Sequence, residues 1–219
     1  MTLLLNRITL NLGHRDVRRD LGNAYDMHRT LARAFTGGPD ETVQPFLWRL
    51  ESSREGAPPT LLVQSQEEPC WEHLPTGYVQ SQAQRSWTPE AVFRKGKAVA
   101  FRVRANPTVN RVPQITSGNE TANSSSRGRR KRLGLWREEE QLEWLHRQAE
   151  RLGLGAVTAT VSHAERLCCR RGGAVITVAT AQFDGQAVIA DPDALAAGVC
   201  CGIGHARMLG LGLVSVVPL

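Results

Sequence analysis

The sequence has no long apolar run, no cysteines at a metal-binding spacing and few aromatic residues. No stretch reaches the roughly 18 apolar residues that a membrane-spanning helix needs, so we expect no membrane association. The five cysteines are odd in number and include no C-x-x-C pair, which argues against a zinc site and favours reduced thiols in the cytoplasm. The first charge, Arg7, follows the apolar residues at the N-terminus, so we expect no signal peptide. We predict no metal and no cofactor.

The positive charge is concentrated in one part of the chain. The formal net charge is +6 over 219 residues. Residues 97–135 contain nine basic side chains and one acidic side chain, which is more than the whole surplus. A concentrated basic segment is typical of a surface that binds an anionic partner. A solvated basic linker is the alternative.

Alternation and apolar periodicity predict four elements in the first half of the chain. These are a strand over Leu3–Leu12, a helix over residues 22–36, and strands over Phe46–Glu51 and Thr60–Ser65. The polar stretch Glu67–Pro89 stays unassigned, and a second helix of this half would have to lie there.

In the second half of the chain, the same patterns predict six elements and one loop. In order they are a strand at Ala98–Arg104, a helix over 136–152, strands at Leu154–Val161 and Ala174–Phe183, a helix from Asp191 to about Cys201, and a strand at Leu211–Val217. Residues 114–128 are polar and of low complexity, which predicts an exposed loop. We expect the hairpin over 162–173 to be short, with its turn at Arg170–Gly173.

The order of the elements predicts an α+β protein of two tandem ferredoxin-like domains. Each half follows the pattern β-α-β-β-α-β, which RNA-recognition modules also have. We assign residues 1–97 to the first domain and 98–219 to the second, with a polar and basic insert at 108–132.

The helix over 22–36 contains the strongest candidate for catalysis. Tyr25, His28 and Arg29 follow at helical offsets of three and four, and Arg33 continues that face one turn later. Imidazole exchanges protons near neutral pH, and guanidinium groups hold phosphates. This set suits attack by a ribose 2′-hydroxyl on its own phosphate without a metal. From spacing alone, bystander side chains on an exposed helix face remain the alternative.

Glycines and arginines form two weaker sets. Four glycines surround Arg207 near the C-terminal end, and they predict either a phosphate-binding loop or tight turns. Further arginines sit at the predicted hairpin tip and on one strand face, where they can bind phosphates or be ordinary surface residues.

Several segments together resemble one known family. They are Tyr25–Leu31, the R-x-R-A-N-P strand within Phe101–Pro107, the helix around Trp144 and Leu145, and the glycine segments Gly202–Gly204 and Gly210–Ser215. Their order and spacing resemble the CasE family, the CRISPR RNA-processing endoribonucleases of the type I-E Cascade complex. The resemblance spans nearly the whole chain.

The resemblance implies metal-independent cleavage of precursor CRISPR RNA. The cut would fall at the 3′ base of the repeat hairpin and leave a cyclic phosphate and a 5′-hydroxyl. The partners would be the repeat hairpin and other Cascade subunits. His28 would be the general acid or base, Tyr25 its partner, and Arg33 a stabiliser of the scissile phosphate. The candidate RNA-binding residues are Arg29, Arg102, Arg104, Arg129, Arg130, Lys131, Arg166, Arg170, Arg171, Gly202, Gly204, Arg207, Gly210 and Gly212.

Two other functions stay open. A non-catalytic subunit that binds RNA hairpins could have the same fold, although aromatic residues are only 5% of the chain and form no paired set for base stacking. A small-molecule enzyme of ferredoxin-like fold would need a set of polar pocket residues, and the sequence shows none.

Overall fold

A computed structural model describes residues 1–38, 41–51, 56–111 and 131–219, and its first half forms a four-stranded antiparallel sheet. The elements are β1 (Leu3–Leu10), α1 (Arg15–Leu21), α2 (Ala24–Ala32), a 3-10 turn (Arg33–Phe35), β2 (Phe46–Glu51), β3 (Thr60–Ser65), a second 3-10 turn (Trp71–His73) and β4 (Val79–Trp87). The strand order is β2-β3-β1-β4. This is the ferredoxin-like arrangement, with a 3-10 turn in place of the second helix.

The second half repeats the arrangement with both helices present. Its elements are α3 (Pro89–Val92), β5 (Ala98–Ala105), β6 (Thr108–Arg111), β7 (Lys131–Gly134), α4 (Glu138–Arg151), β8 (Leu154–Arg171), β9 (Ala174–Ile189), α5 (Pro192–Cys201), a third 3-10 turn (Arg207–Leu209) and β10 (Val214–Pro218). The sheet order is β10-β5-β9-β8, and β6 pairs with β7 in a separate hairpin. The predicted α+β class of tandem ferredoxin-like units is confirmed.

Two predictions for the first half need correction. The helix predicted over 22–36 is shorter in the structure, because the α-helix α2 ends at Ala32. It is also the second of two consecutive helices, since α1 precedes it. No α-helix forms between residues 67 and 88, all of which the structure describes; β4 occupies that region. Its residues are nearly all exposed, so β4 is an edge strand with no apolar alternation to identify it.

Two predictions for the second half also need correction. Residues 108–111 and 131–132 of the expected insert are strand, not loop. The hairpin expected to be short is a long arm, because β8 has 18 residues and β9 has 16. The rest of the predicted exposed loop, residues 114–128, lies outside the described residues. The domain boundary near residue 97 stays a prediction.

Two hydrophobic cores lie on the helix sides of the two sheets. The first is built around Ile8, Leu31 and Trp48. The second is built around Phe101 and Phe183, and it also takes in Leu3 from the very start of β1. The second core therefore depends on a residue from the first half of the chain.

Buried polar side chains join the halves. Arg49 on β2 is 2% exposed, and its Nε donates to Glu51 Oε1 at 2.6 Å. Its Nη1 donates to the carbonyls of Arg102 (3.3 Å) and Leu213 (3.1 Å), and its Nη2 donates to Ser215 Oγ (2.9 Å). Because its donors find acceptors, a charge that would be costly to bury becomes a cross-link between the sheets.

The tip of the arm packs on the first half. The Asn23 side chain donates to the Arg170 carbonyl at 3.1 Å and accepts from the Arg170 amide at 3.2 Å. Cys169 is buried beside Leu209 and Leu211. The arm thus connects the second sheet to the start of α2. Within the described residues, no helix is long and apolar enough to cross a bilayer.

Candidate active site

His28 lies half-buried on α2, at the end of an aromatic stack. Its ring lies 5.0 Å from Phe46, nearly parallel at 19°, and Phe46 in turn stacks on Phe35 at 4.4 Å. His28 Nδ1 is buried and has no hydrogen-bond partner in the described part of the chain. Nε2 is therefore the nitrogen left for a substrate. Burial lowers the pKa of His28 below its usual value of 6.5, so the imidazole is neutral at pH 7 and can accept a proton.

A cavity of about 570 Å³ brings His28 and Arg207 together. Phe46, Gln64 and Cys201 also line it. The Arg207 guanidinium donates to the Cys201 carbonyl, which holds the side chain against the end of α5. A neutral base and a permanent cation thus share one cavity, and together they can deprotonate a hydroxyl and hold a phosphate.

The glycine-rich loop over 202–212 brings Arg207 to this cavity by packing closely against the first sheet. Gly210 has φ +76°, and a Cβ there would lie 2.8 Å from Trp48 Cζ3. Gly212 has φ +88°, and its amide donates to the Arg104 carbonyl at 2.7 Å. The glycines that surround Arg207 therefore serve tight turns and close packing.

Tyr25 faces the arm and does not line the His28 cavity. It packs against the cluster of Cys169, Leu209 and Leu211. The Arg171 guanidinium carbon lies 5.5 Å from the centre of its ring, a cation–π distance. The structure thus pairs His28 with Arg207, and Tyr25 with Arg171.

The other two cations of the helix face point elsewhere. Arg29 is exposed, 3.8 Å from Asp26 Oδ1. Arg33 is exposed at the start of the 3-10 turn, and it does not line the cavity that His28 lines. The helical spacing predicted one continuous face. The face bends away because the α-helix ends at Ala32.

Acidic neighbours hold both arginines of the R-x-R strand. Arg102 Nε donates to Asp184 Oδ1 at 2.5 Å, and its Nη1 lies 3.8 Å from Glu51 Oε2. Arg104 donates to Glu165 on the arm. An RNA phosphate would have to compete with these carboxylates. The contact between Arg102 and Glu51 also links the two sheets.

The remaining predicted RNA-binding residues fall in three places. Arg166 lies over the ring of Trp136 at 4.9 Å, and Trp136 is 50% exposed. Lys131 is exposed at the start of β7. Arg170 and Arg171 are exposed at the arm tip. Arg129 and Arg130 lie outside the described residues.

Sequence reasoning missed two contributors to the site. Phe46 was placed on a strand, but periodicity gives no signal that it stacks on His28. A second cavity beyond the glycine-rich loop contains Arg132, Arg147, Arg151 and His205. The spacing of Arg147 and Arg151, four residues apart on one helix, was the one available hint.

The fold and site define a tandem ferredoxin-like protein with a neutral histidine and an arginine in one cavity, and comparison with known proteins identifies its family. A family model described as "CRISPR associated protein" matches residues 3–218. The CRISPR-associated endoribonuclease Cse3 of Thermus thermophilus is 32% identical over 98% of this chain and 99% of its own length. The Cascade subunit CasE of Escherichia coli K12 is 31% identical over 92% and 94%.

Solved structures agree. Thermus thermophilus Cse3 bound to an RNA that represents a pre-cleavage complex superposes with a TM-score of 0.83, at 32% identity and full coverage of both chains. A chain of a CRISPR RNA-guided surveillance complex superposes with a TM-score of 0.69, at 28% identity, over 99% of this chain and 100% of its own. The protein belongs to the Cse3/CasE family of CRISPR endoribonucleases, and the resemblance noted in the sequence is confirmed.

Proposed function

We propose that the protein cleaves precursor CRISPR RNA at the 3′ base of the repeat hairpin by a metal-independent mechanism. It then remains on the product as a subunit of a Cascade complex in the cytoplasm. The name of the Thermus thermophilus relative and its pre-cleavage RNA complex support the reaction. The name of the Escherichia coli relative and the surveillance-complex structure support the assembly.

The observation that carries the proposal is His28, half-buried and neutral beside Arg207. His28 Nε2 takes the proton of the ribose 2′-hydroxyl, and the 2′-oxygen attacks the adjacent phosphorus. The bond from phosphorus to the 5′-oxygen breaks, and that oxygen leaves with a proton as a 5′-hydroxyl. The other product is a 2′,3′-cyclic phosphate, so atoms and charge balance without a cofactor.

Cations near His28 stabilise the negative charge that grows on the phosphate. We assign this role to Arg207, because it lines the cavity that His28 lines. Tyr25, one helical turn before His28, is the candidate donor of the proton to the leaving oxygen; because it faces the arm and lies outside the His28 cavity, this role requires the RNA to extend from that cavity to the arm. Arg171, over the Tyr25 ring, orients that phenol. Arg33 has a weaker claim to the scissile phosphate than the helical spacing suggested.

The hairpin RNA binds along the exposed cations of the arm and of β7. Arg166, Arg170, Arg171 and Lys131 have no carboxylate within 4.0 Å in the described part of the chain, so phosphates can reach them directly. Arg29 adds a cation at the edge of α2. Arg102 and Arg104 bind RNA less strongly, because Asp184 and Glu165 already hold them.

The test is cleavage of labelled repeat RNA by His28→Ala in single-turnover reactions. We expect the rate to fall by about 10²–10⁴-fold, the usual contribution of a general acid or base, while the affinity for a non-cleavable RNA changes little. His146→Ala removes an exposed histidine from α4 and is the matched control, with unchanged rate.

A substrate with 2′-deoxyribose before the cut separates the mechanism from its alternatives. We expect no product from it, and full cleavage of the ribose substrate in excess chelator. Cleavage of the deoxy substrate would exclude attack by the 2′-hydroxyl. Tight binding without any product from the unsubstituted protein would instead identify a non-catalytic RNA-binding subunit.

A further inference from the structure

A second cavity lies on the other side of the glycine-rich loop from the His28 cavity. Its volume is about 390 Å³, within the range of about 300–1,000 Å³ that is usual for ligand sites. The loop contributes Arg207 to the first cavity, and Gly204 and His205 to the second. We call the second one the arginine pocket, after Arg132, Arg147 and Arg151 in its walls.

Three guanidinium groups converge on the arginine pocket, and none of the described residues that line it carries a carboxylate. Arg147 lies 3.9 Å from Glu143 Oε2, but Glu143 is 73% exposed, so solvent screens that pair. In the described part of the chain, no carboxylate lies within 4.0 Å of the guanidinium of Arg132 or Arg151. Burial, then Arg132 and Arg207, lower the pKa of His205, which agrees with a positive field in the pocket.

Rigid elements hold these cations in place. Arg147 and Arg151 lie four residues apart on α4 and share one face of it. Arg132 approaches from β7, whose partner Asn110 on β6 also lines the pocket. Guanidinium groups fixed on a helix and on a facing hairpin bind phosphate oxygens through paired N–H groups. Asn110 and Gln148 add neutral donors.

We propose that the arginine pocket binds backbone phosphates of the single-stranded RNA that flanks the hairpin. The proposal rests on the proposed function, because it takes the flank of the processed RNA as its ligand. A flexible strand can bend its phosphates into a concave pocket, and such channels bind single strands through their backbone. A strand that leaves the His28 cavity reaches the arginine pocket by crossing the glycine-rich loop, which forms one wall of both.

The test compares Arg147→Ala/Arg151→Ala with a control that loses the same charge elsewhere. Both substituted arginines are exposed, so the fold should be retained. The matched control is Lys95→Ala/Arg137→Ala, which removes two exposed cations outside both cavities. Four repeat RNAs, each with a single 2′-deoxyribose before the cut, serve as probes. They are the hairpin alone, the hairpin with a 5′ single strand, with a 3′ single strand, and with both.

We expect the pocket variant to bind at least one flanked RNA about tenfold or more weakly than the control does, and to bind the bare hairpin equally well. The slope of log affinity against log salt should fall by about 1.4 for that RNA, since each phosphate contact to a single strand contributes about 0.7. The flanked RNA that loses affinity shows whether the 5′ or the 3′ single strand occupies the pocket.

Two results would overturn the proposal. Equal affinities of the two variants for every flanked RNA would show that the pocket does not hold the flank. An equal loss on the bare hairpin would show that the arginines contact the duplex. Cleavage of ribose RNA by the unsubstituted protein, measured in parallel, separates this failure from a failure of the proposed function, which would leave that RNA intact.

Discussion

The half-buried position of His28 has a consequence for its chemistry. Phe46 covers one face of the ring, and Nδ1 has no hydrogen-bond partner in the described part of the chain. A charged imidazole there would lose solvation without gaining a partner, so the neutral form is favoured. The residue is thereby set up as a base at neutral pH.

The pH dependence of single-turnover cleavage tests this directly. Because burial lowers the pKa of His28, its base form persists below pH 6.5, and the rate should fall only as the pH drops through that lowered pKa. Phe46→Leu removes the stacked ring, exposes the imidazole and should move the midpoint of the acidic limb upward. An unchanged midpoint in Phe46→Leu would mean that the ring does not control the titration.

A pair of glycines separates backbone strain from close packing. Gly210 and Gly77 have nearly equal φ, +76° and +79°, but a Cβ added at Gly210 would lie against Trp48, whereas a Cβ added at Gly77 would have nothing within 4 Å. Gly77→Ala should cost about 1 kcal/mol of unfolding free energy, for the left-handed backbone alone. Gly210→Ala should cost a further 1–3 kcal/mol, roughly, from overpacking. Urea unfolding measures both, and equal losses would exclude a role for the Trp48 contact.

At the scale of elements, the sequence predicted the helices and strands that have one side buried in a core and the other exposed to solvent. The bounds of β2 and β3 agree with the prediction, because the turn-rich stretch Ser53–Pro59 separates two short apolar runs. The start of α5 was predicted as well, since the side chain of Asp191 caps the helix at the amides of Asp193 and Ala194. The helix that contains His28 was predicted from its apolar stripe at Met27 and Leu31.

Other elements could not be predicted, because their signal comes from contacts distant in sequence. The exposed strand β4 is ordered by backbone pairing with β1, so its side chains carry no period. Only Val17 and Leu21 give α1 an apolar side. The long arm was underestimated because its outer part packs on α2 and not on its own sheet. Likewise, Arg207 beside His28 depends on how the glycine-rich loop folds back.

Asn23→Ala tests how the arm is attached. The variant loses the two hydrogen bonds to the backbone of Arg170, worth about 1 kcal/mol each at most in net terms. Amide hydrogen exchange at residues 168–175 should become faster by about tenfold, whereas exchange at the base of the arm, around Leu154 and Ile189, should not change. Equal protection at the tip would show that the apolar cluster around Cys169 and the contact of Arg171 with Tyr25 hold the arm without these hydrogen bonds.

At the scale of the whole molecule, Arg49 is the main polar link between the two halves. Arg49→Met removes the guanidinium but keeps an apolar stem, and it leaves Glu51 and the carbonyl of Leu213 without this donor. We expect a loss of about 3–5 kcal/mol in unfolding free energy, together with a broader urea transition as the halves unfold less cooperatively. Arg49→Lys keeps the charge and should recover part of the loss; a wild-type transition in Arg49→Met would refute the link.

The same link constrains the order in which the protein can be completed during synthesis. Arg49 donates to residues 164 and 166 positions later, Leu213 and Ser215, and Leu3 packs into a core whose other members follow it by 90 residues or more. When the N-terminal half leaves the ribosome, Arg49 therefore has Glu51 as a partner but lacks its acceptors at Arg102, Leu213 and Ser215. The complete set of Arg49 contacts forms only after β10 has been synthesised, and Arg207 likewise joins the His28 cavity only when the C-terminal end of the chain is present.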